Sequence, residues 1–408
     1  MSFEELVRDA LHEQAESTRP APADLAGRVL ARRARRRTRG FTVATVAAVA
    51  AVAFAASVIT VGAGRGHDPH TGDGAPAASG VEAHPSQSPP LDRIAAGDQV
   101  LAAYYSTRNV AQPNHDVVLT RTYQLLNPST GRYVKDPRWS DVAVAPGLRT
   151  AAVLEQALPA DRVGILDLAT GKVTRWIPVP QGAGAVEFSP DGGRLVATTY
   201  AKDPNRLFWA DRAAVQGSSQ PQSEYSRTGF SVIDVASGAA RWHALAPDRS
   251  LPPGPDLGSG FSLSFNADGT LLTERMMASP ETVFHRLDGT TAPAPAKEKY
   301  ADTALAPAGL SPDGTLMAGG FAGEGAKTAT EVLDPATGRR VALQGGQRLL
   351  AWVDRRHLIA WDIPPGGNEF GNRLVLVTVG SDKEVPLSGA RPGTEGSPAR
   401  WEPVFAHR

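Results

Sequence analysis

Cysteine is absent from this 408-residue chain, and only seven of its 42 basic residues are lysine. Without cysteine there are no disulfides, thiolate metal sites, iron–sulfur clusters or cysteine nucleophiles. The lysine scarcity reads as codon bias from a high-GC bacterium. Basic and acidic residues balance at 42 each, so no global positive field points to nucleic acid. Catalytic signatures are missing too. There is no Gly-x-Ser-x-Gly elbow, no His-Glu-x-x-His and no EF-hand loop. In Gly320-Phe-Ala-Gly-Glu-Gly-Ala-Lys327-Thr328, Ala326 separates glycine from lysine, which breaks a phosphate-binding loop. No cofactor or metal site is expected. What is abundant is turn material, with 41 glycines and 33 prolines.

The balanced charge conceals an asymmetry. Residues 1–40 carry nine arginines and six acids, and residues 41–61 (FTVATVAAVAAVAFAASVITV) carry no charge. At 1.5 Å per residue this run reaches about 31 Å, matching the roughly 30 Å hydrocarbon core. Arg32, Arg33, Arg35, Arg36, Arg37 and Arg39 stand before it and only Arg65 closely follows. The positive-inside rule then predicts a single transmembrane helix at 41–61 in the cell membrane, with a cytoplasmic N-terminus and an extracytoplasmic remainder. Ala53-Phe54-Ala55 offers a small-x-small cleavage site, but the apolar core is too long and begins too late for an ordinary signal peptide. An uncleaved anchor is favoured. Residues 62–90, rich in glycine and proline, read as a disordered linker in which His67, His70 and His84 are solvated.

The cytoplasmic segment 1–40 is patterned for helix. Ser2 and Glu5 form a capping box, and Phe3, Leu6, Val7, Ala10 and Leu11 recur at helical spacing. Two helices of this length cannot form a self-sufficient core, so the face of Phe3, Leu6, Val7 and Leu11 needs a partner. The arrangement resembles the short cytoplasmic regions of actinobacterial single-span proteins that associate with extracytoplasmic-function sigma factors. That resemblance implies a sigma factor docked on residues 2–30. The other reading is a positively charged segment that only orients the span.

After residue 91 the sequence repeats. One pattern is Phe188-Ser-Pro-Asp-Gly192, Phe265-Asn-Ala-Asp-Gly269 and Leu310-Ser-Pro-Asp-Gly314, each followed by an apolar strand. The other is Leu126-Asn-Pro-Ser-Thr-Gly131, Ile165-Leu-Asp-Leu-Ala-Thr-Gly171, Val232-Ile-Asp-Val-Ala-Ser-Gly238 and Val332-Leu-Asp-Pro-Ala-Thr-Gly338, with degenerate versions at Leu287-Asp-Gly289 and Val377-Thr-Val-Gly380. Both are hairpin signals. Two hairpins per unit, recurring mostly every 40–51 residues, predict four-stranded blades around an axis. The expectation over 91–408 is an all-β, six-bladed β-propeller, with seven blades as the alternative. Trp401 to Ala406 echoes Trp139 to Val144, so the C-terminus is expected to supply the innermost strand of the first blade and remove a free edge.

The paired turns resemble the TolB-type, WD-repeat-like propeller repeat across nearly all of 91–408. The resemblance implies a fold and leaves activity open, because propellers host enzymes, receptors and scaffolds alike. Asp191, Asp268 and Asp313 are accounted for as turn residues. Contacts are sought instead in the irregular loops. Residues 201–226 place Arg206, Phe208, Trp209, Asp211 and Tyr225 in one long insertion, and 243–260 and 364–370 form two more. These five residues are the candidate contact for an envelope protein, peptide or glycan, the alternative being that Phe208 and Trp209 cover the propeller's flank. The sequence favours a non-enzymatic membrane-anchored binding protein. An envelope hydrolase or lactonase using the axial pocket, and a passive tethered scaffold, are the competing readings.

Overall fold

The computed structural model describes residues 80–209, 222–223, 226–246, 262–275, 282–302, 306–323, 328–394 and 397–408. The expected partner face of Phe3, Leu6, Val7 and Leu11, the expected span at 41–61, and Asp211 and Tyr225 lie outside the described residues. Among the described residues no helix is long and apolar enough to cross a membrane. The regular structure there is all β.

Among the described residues antiparallel strands form five hydrogen-bonded sheets, organised as a β-propeller. The first blade contains Gln99–Ala111, Val117–Asn127 and Arg132–Asp136. Its innermost strand is the C-terminal Trp401–His407, paired from Gln99↔His407 to Ser106↔Trp401, as the sequence echo predicts. The second blade comprises Trp139–Val144, Thr150–Glu155, Ala160–Asp167 and the start of Lys172–Phe188. That 17-residue strand then continues as the innermost strand of the third blade, pairing with Arg194–Tyr200. Arg227–Asp234 and Ala240–Ala244 complete the third blade. The shared strand is why these two blades count as one seven-stranded sheet.

A sheet of Ser264–Phe265, Leu271–Arg275, Thr282–Arg286 and Thr291–Ala292 follows. Next come Met317–Phe321, Ala329–Leu333 and Arg340–Gly345, with Leu310 bridging Met317 on the inner side. The last blade holds Arg348–Trp352, His357–Asp362, Arg373–Thr378 and Glu384–Pro386. Trp361-Asp362 ends its second strand, where a WD repeat would place the dipeptide at the end of the third.

Local chemistry sets the turns. Gly192 and Gly171 sit at φ of 71° and 66°, a region where a Cβ is penalised and glycine is not. Asp191 Oδ1 accepts the Ser189 hydroxyl and, at 3.0 Å, the Gly193 N–H. Asp167 Oδ1 accepts the Thr170 N–H and hydroxyl, both at 2.7 Å. Alternating antiparallel strands put these two turn types at one end of the blades. The remaining, longer connections therefore share the opposite face.

Trp401 fastens the closure. It is 1% exposed, with its ring centroid 5.4 Å from Tyr104 and 5.1 Å from Trp361. Residues 80–90, expected within the disordered linker, are instead laid onto this seam. Glu82 exchanges backbone hydrogen bonds with Ala95 at 2.8 and 3.0 Å, and His84 N–H donates to Leu387 O at 2.9 Å. The Arg93 guanidinium donates to both Glu82 carboxylate oxygens at 2.7 and 2.9 Å. Val81 and Ala83 pack against the cluster containing Ile94, Leu374 and Trp401. That burial supplies the apolar contact that composition alone did not promise.

Candidate functional site

Polar groups concentrate on the loop face, at the axis and between the third blade and the next sheet. On the loop face the first blade's central hairpin is long, with strands of 13 and 11 residues, and it overshoots the other strands. The insertion from the third blade reaches back to it. Arg206–Phe208 pairs with the start of Val117–Asn127 through Arg206↔Val118 and Leu207↔Val117. Leu119 N–H also donates to Asn205 O at 2.8 Å. Gln222–Ser223 adds a further strand outside it. A segment from the third blade thus bridges to the first across the loop end of the second.

Asp116, 4% exposed, anchors this bridge. It accepts the Trp209 N–H at 2.8 Å and lies 3.3 Å from the Arg206 guanidinium. Trp209 remains 43% exposed, its ring 5.9 Å from the His115 imidazole. The Lys202 ammonium sits 5.3 Å from the Phe208 ring. The structure therefore gathers Arg206, Phe208 and Trp209 with His115, Asp116 and Lys202. His115 and Asp116 were missed in the sequence, because the hairpin and the insertion are about 90 residues apart, and Lys202, within the insertion, carries no pattern that singles it out.

At the axis, the inner strand edges would leave backbone N–H groups unpaired, and carboxylates reach them. Asp141 Oδ2 accepts the Val186 N–H at 2.8 Å while Oδ1 lies 3.3 Å from the Arg121 guanidinium. One carboxylate so joins the first, second and third blades. Burial pushes the Asp141 carboxyl up, against the opposing pull of Arg121 and the Val186 N–H. Glu187 repeats the device one blade on, accepting the Phe265 N–H at 3.0 Å. Burial pushes its carboxyl up to about 7, and the nearby Asp141 adds to the rise.

A third cluster ties the third blade to the next sheet. Arg227 pairs with Glu274, whose Oε2 lies 2.7 Å from His285 Nε2. Burial alone would raise the Glu274 carboxyl, but His285 and Arg227 outweigh it and hold it below its usual value. Asp191, Asp268 and Asp313 lie in the turns, their carboxyls lowered by hydrogen bonds first from Ser189, Thr270 and Ser311 respectively. Among the described residues no three His, Asp or Glu side chains gather as a metal-ligand set.

No protein-family model matches the sequence, and no curated protein matches it either. Solved structures do. TolB from Acinetobacter baumannii is 15% identical, with a TM-score of 0.34 over 72% of this chain and 68% of that one. The Pyrococcus horikoshii acylaminoacyl peptidase is 14% identical, with a TM-score of 0.37, and the match spans 71% of this chain but 44% of the peptidase. The Swd1 β-propeller domain from Myceliophteria thermophila is 14% identical, with a TM-score of 0.29 over 71% of this chain and 98% of that domain.

Proposed function

We propose that the chain is a single-pass, extracytoplasmic propeller of six blades that binds an envelope protein or peptide on its loop face. In this reading its cytoplasmic segment relays occupancy to a regulator such as a sigma factor. The observation that carries the binding proposal is the strand bridge from the third blade to the first. It fixes Arg206 and the half-exposed Trp209 on a hydrogen-bonded support. An exposed aromatic beside an arginine, held rigid, is the composition of an interface hot spot. The blade count rests on the four-strand grouping and the closing strand Trp401–His407. The axial Asp141 favours binding over catalysis, since its carboxylate is committed to the Val186 N–H of the next blade and to the Arg121 guanidinium.

The test is affinity purification of the full chain from native membranes beside an Arg206→Ala/Trp209→Ala variant and a form lacking residues 2–30. A partner lost only with the double variant supports the loop-face contact. A regulator lost only with the truncation supports the relay. Equal recovery of every partner in all three forms overturns both parts.

A further inference from the structure

The axis carries a second feature, separate from the loop face. Between the inner strands of the first three blades, towards the face of tight turns, lies a cavity of about 370 Å³, within the range of small-ligand sites, roughly 300–1,000 Å³. Its walls include Val142, Val144, Val186, Phe188 and Val404. Pro146, Pro190 and His407 also line it and reach the surface, which places its mouth at the turn end.

Among the residues lining this cavity one is acidic, Glu187. Its Oε1 accepts the Phe265 N–H at 3.0 Å, and the Ser264 hydroxyl also bonds to it. An ionised carboxylate offers about four acceptor directions, so these two donors leave acceptor capacity on a residue that lines the cavity. Among the described residues the lining contains no lysine or arginine. Of the titratable groups facing Glu187 from neighbouring strands, Asp141 is held by Arg121 and the Val186 N–H, and His407 stands at the mouth 3.1 Å from Gln99 Nε2. The site therefore has an acceptor, apolar walls and no built-in cation.

We propose that this axial cavity binds a primary ammonium group carried on a short aliphatic body, with Glu187 as its counter-charge and the valines around the aliphatic part. A carboxylate ligand would meet Glu187 and Asp141 with like charge. A neutral ligand would bury without using the free acceptor positions. An ammonium supplies three donors and the missing charge in one small group.

The arrangement makes binding depend on pH. Burial pushes the Glu187 carboxyl up to about 7, and only its ionised form receives the cation. Apparent affinity scales with the ionised fraction, so it falls about 30-fold between pH 8 and pH 5.5.

The test titrates n-pentylamine, 1-pentanol and pentanoate into the full chain in detergent, followed by calorimetry or ligand-observed NMR at both pH values. The expected result is saturable amine binding at pH 8, at least about tenfold stronger than pentanol, with none for pentanoate. Glu187→Gln, whose amide oxygen still accepts the Phe265 N–H, should lose about tenfold or more. Val404→Phe should block the cavity without touching the carboxylate, with near-ultraviolet circular dichroism confirming that both variants fold. Amine binding that is unsaturable, equal to pentanol, or unchanged in Glu187→Gln overturns the proposal.

Discussion

Replacing Glu187 by glutamine should make the protein more stable at pH 8, and the size of the gain follows from the axis itself. A carboxyl whose folded value is raised keeps a proton that the unfolded chain has already released. Stability from this group is therefore lost as pH rises from the ordinary 4.5 towards 7, and stays low above that. At about 1.36 kcal/mol per pH unit, the ionised group costs ~3 kcal/mol at pH 8 and less than ~1 kcal/mol at pH 5. Glutamine removes the ionisation while its amide oxygen keeps the bond to Phe265 N–H. Urea unfolding of both proteins, followed by tryptophan fluorescence from pH 5 to pH 8, measures the difference directly. The gap should open with rising pH. A gap that stays constant with pH, or a variant less stable at pH 8, would refute the account of Glu187 as a partly buried carboxylate short of a counter-charge.

Other perturbations test other parts of the fold. Arg121→Met leaves Asp141 buried without its cation and should cost about 3–5 kcal/mol at neutral pH in the same assay. Trp401→Ala empties the space between Tyr104 and Trp361 at the closing seam, and should cost about 3–5 kcal/mol with a matching fall in Tm. Gly171→Ala meets no neighbour within 4 Å, so only its left-handed backbone is penalised, by about 1–2 kcal/mol. Gly229→Ala would place a Cβ 2.1 Å from His243 O and should be clearly more damaging in a thermal unfolding comparison.

The blades were readable because their turns carry chemistry. Asp-Gly and Asp-x-x-Thr-Gly hairpins announce themselves in sequence, and the pairs Trp139/Trp401 and Val144/Ala406 even announced the closing strand. The loop-face bridge was not readable. Arg206–Phe208 has no distinctive pattern, and what makes it a strand is an overlong hairpin in another blade. The seating of residues 80–90 was hidden for a similar reason, since small residues such as Val81 and Ala83 gain their burial from a surface the segment does not contain. Asp141 and Glu187 did leave a trace, as lone acids within the apolar runs Trp-Ser-Asp-Val-Ala-Val and Ala-Val-Glu-Phe. A charge at an inner-strand position signals a group buried against a neighbouring blade, and that signal could have found both.

The seam where residues 80–90 meet the C-terminal strand also determines how the propeller responds to force. Tension entering the chain at Gly80 meets a short row of contacts, first the Glu82–Ala95 pairing with its Arg93 and Arg408 ion pairs, then the His84 bond to Leu387. These lie in series and yield one at a time, which requires little force at any moment. The closing strand is loaded separately, and its pairing from Gln99 to Ser106 acts in parallel. A pull from the N-terminal side therefore peels the strap away before it strains the ring, so that several residues of slack are released while the propeller stays closed.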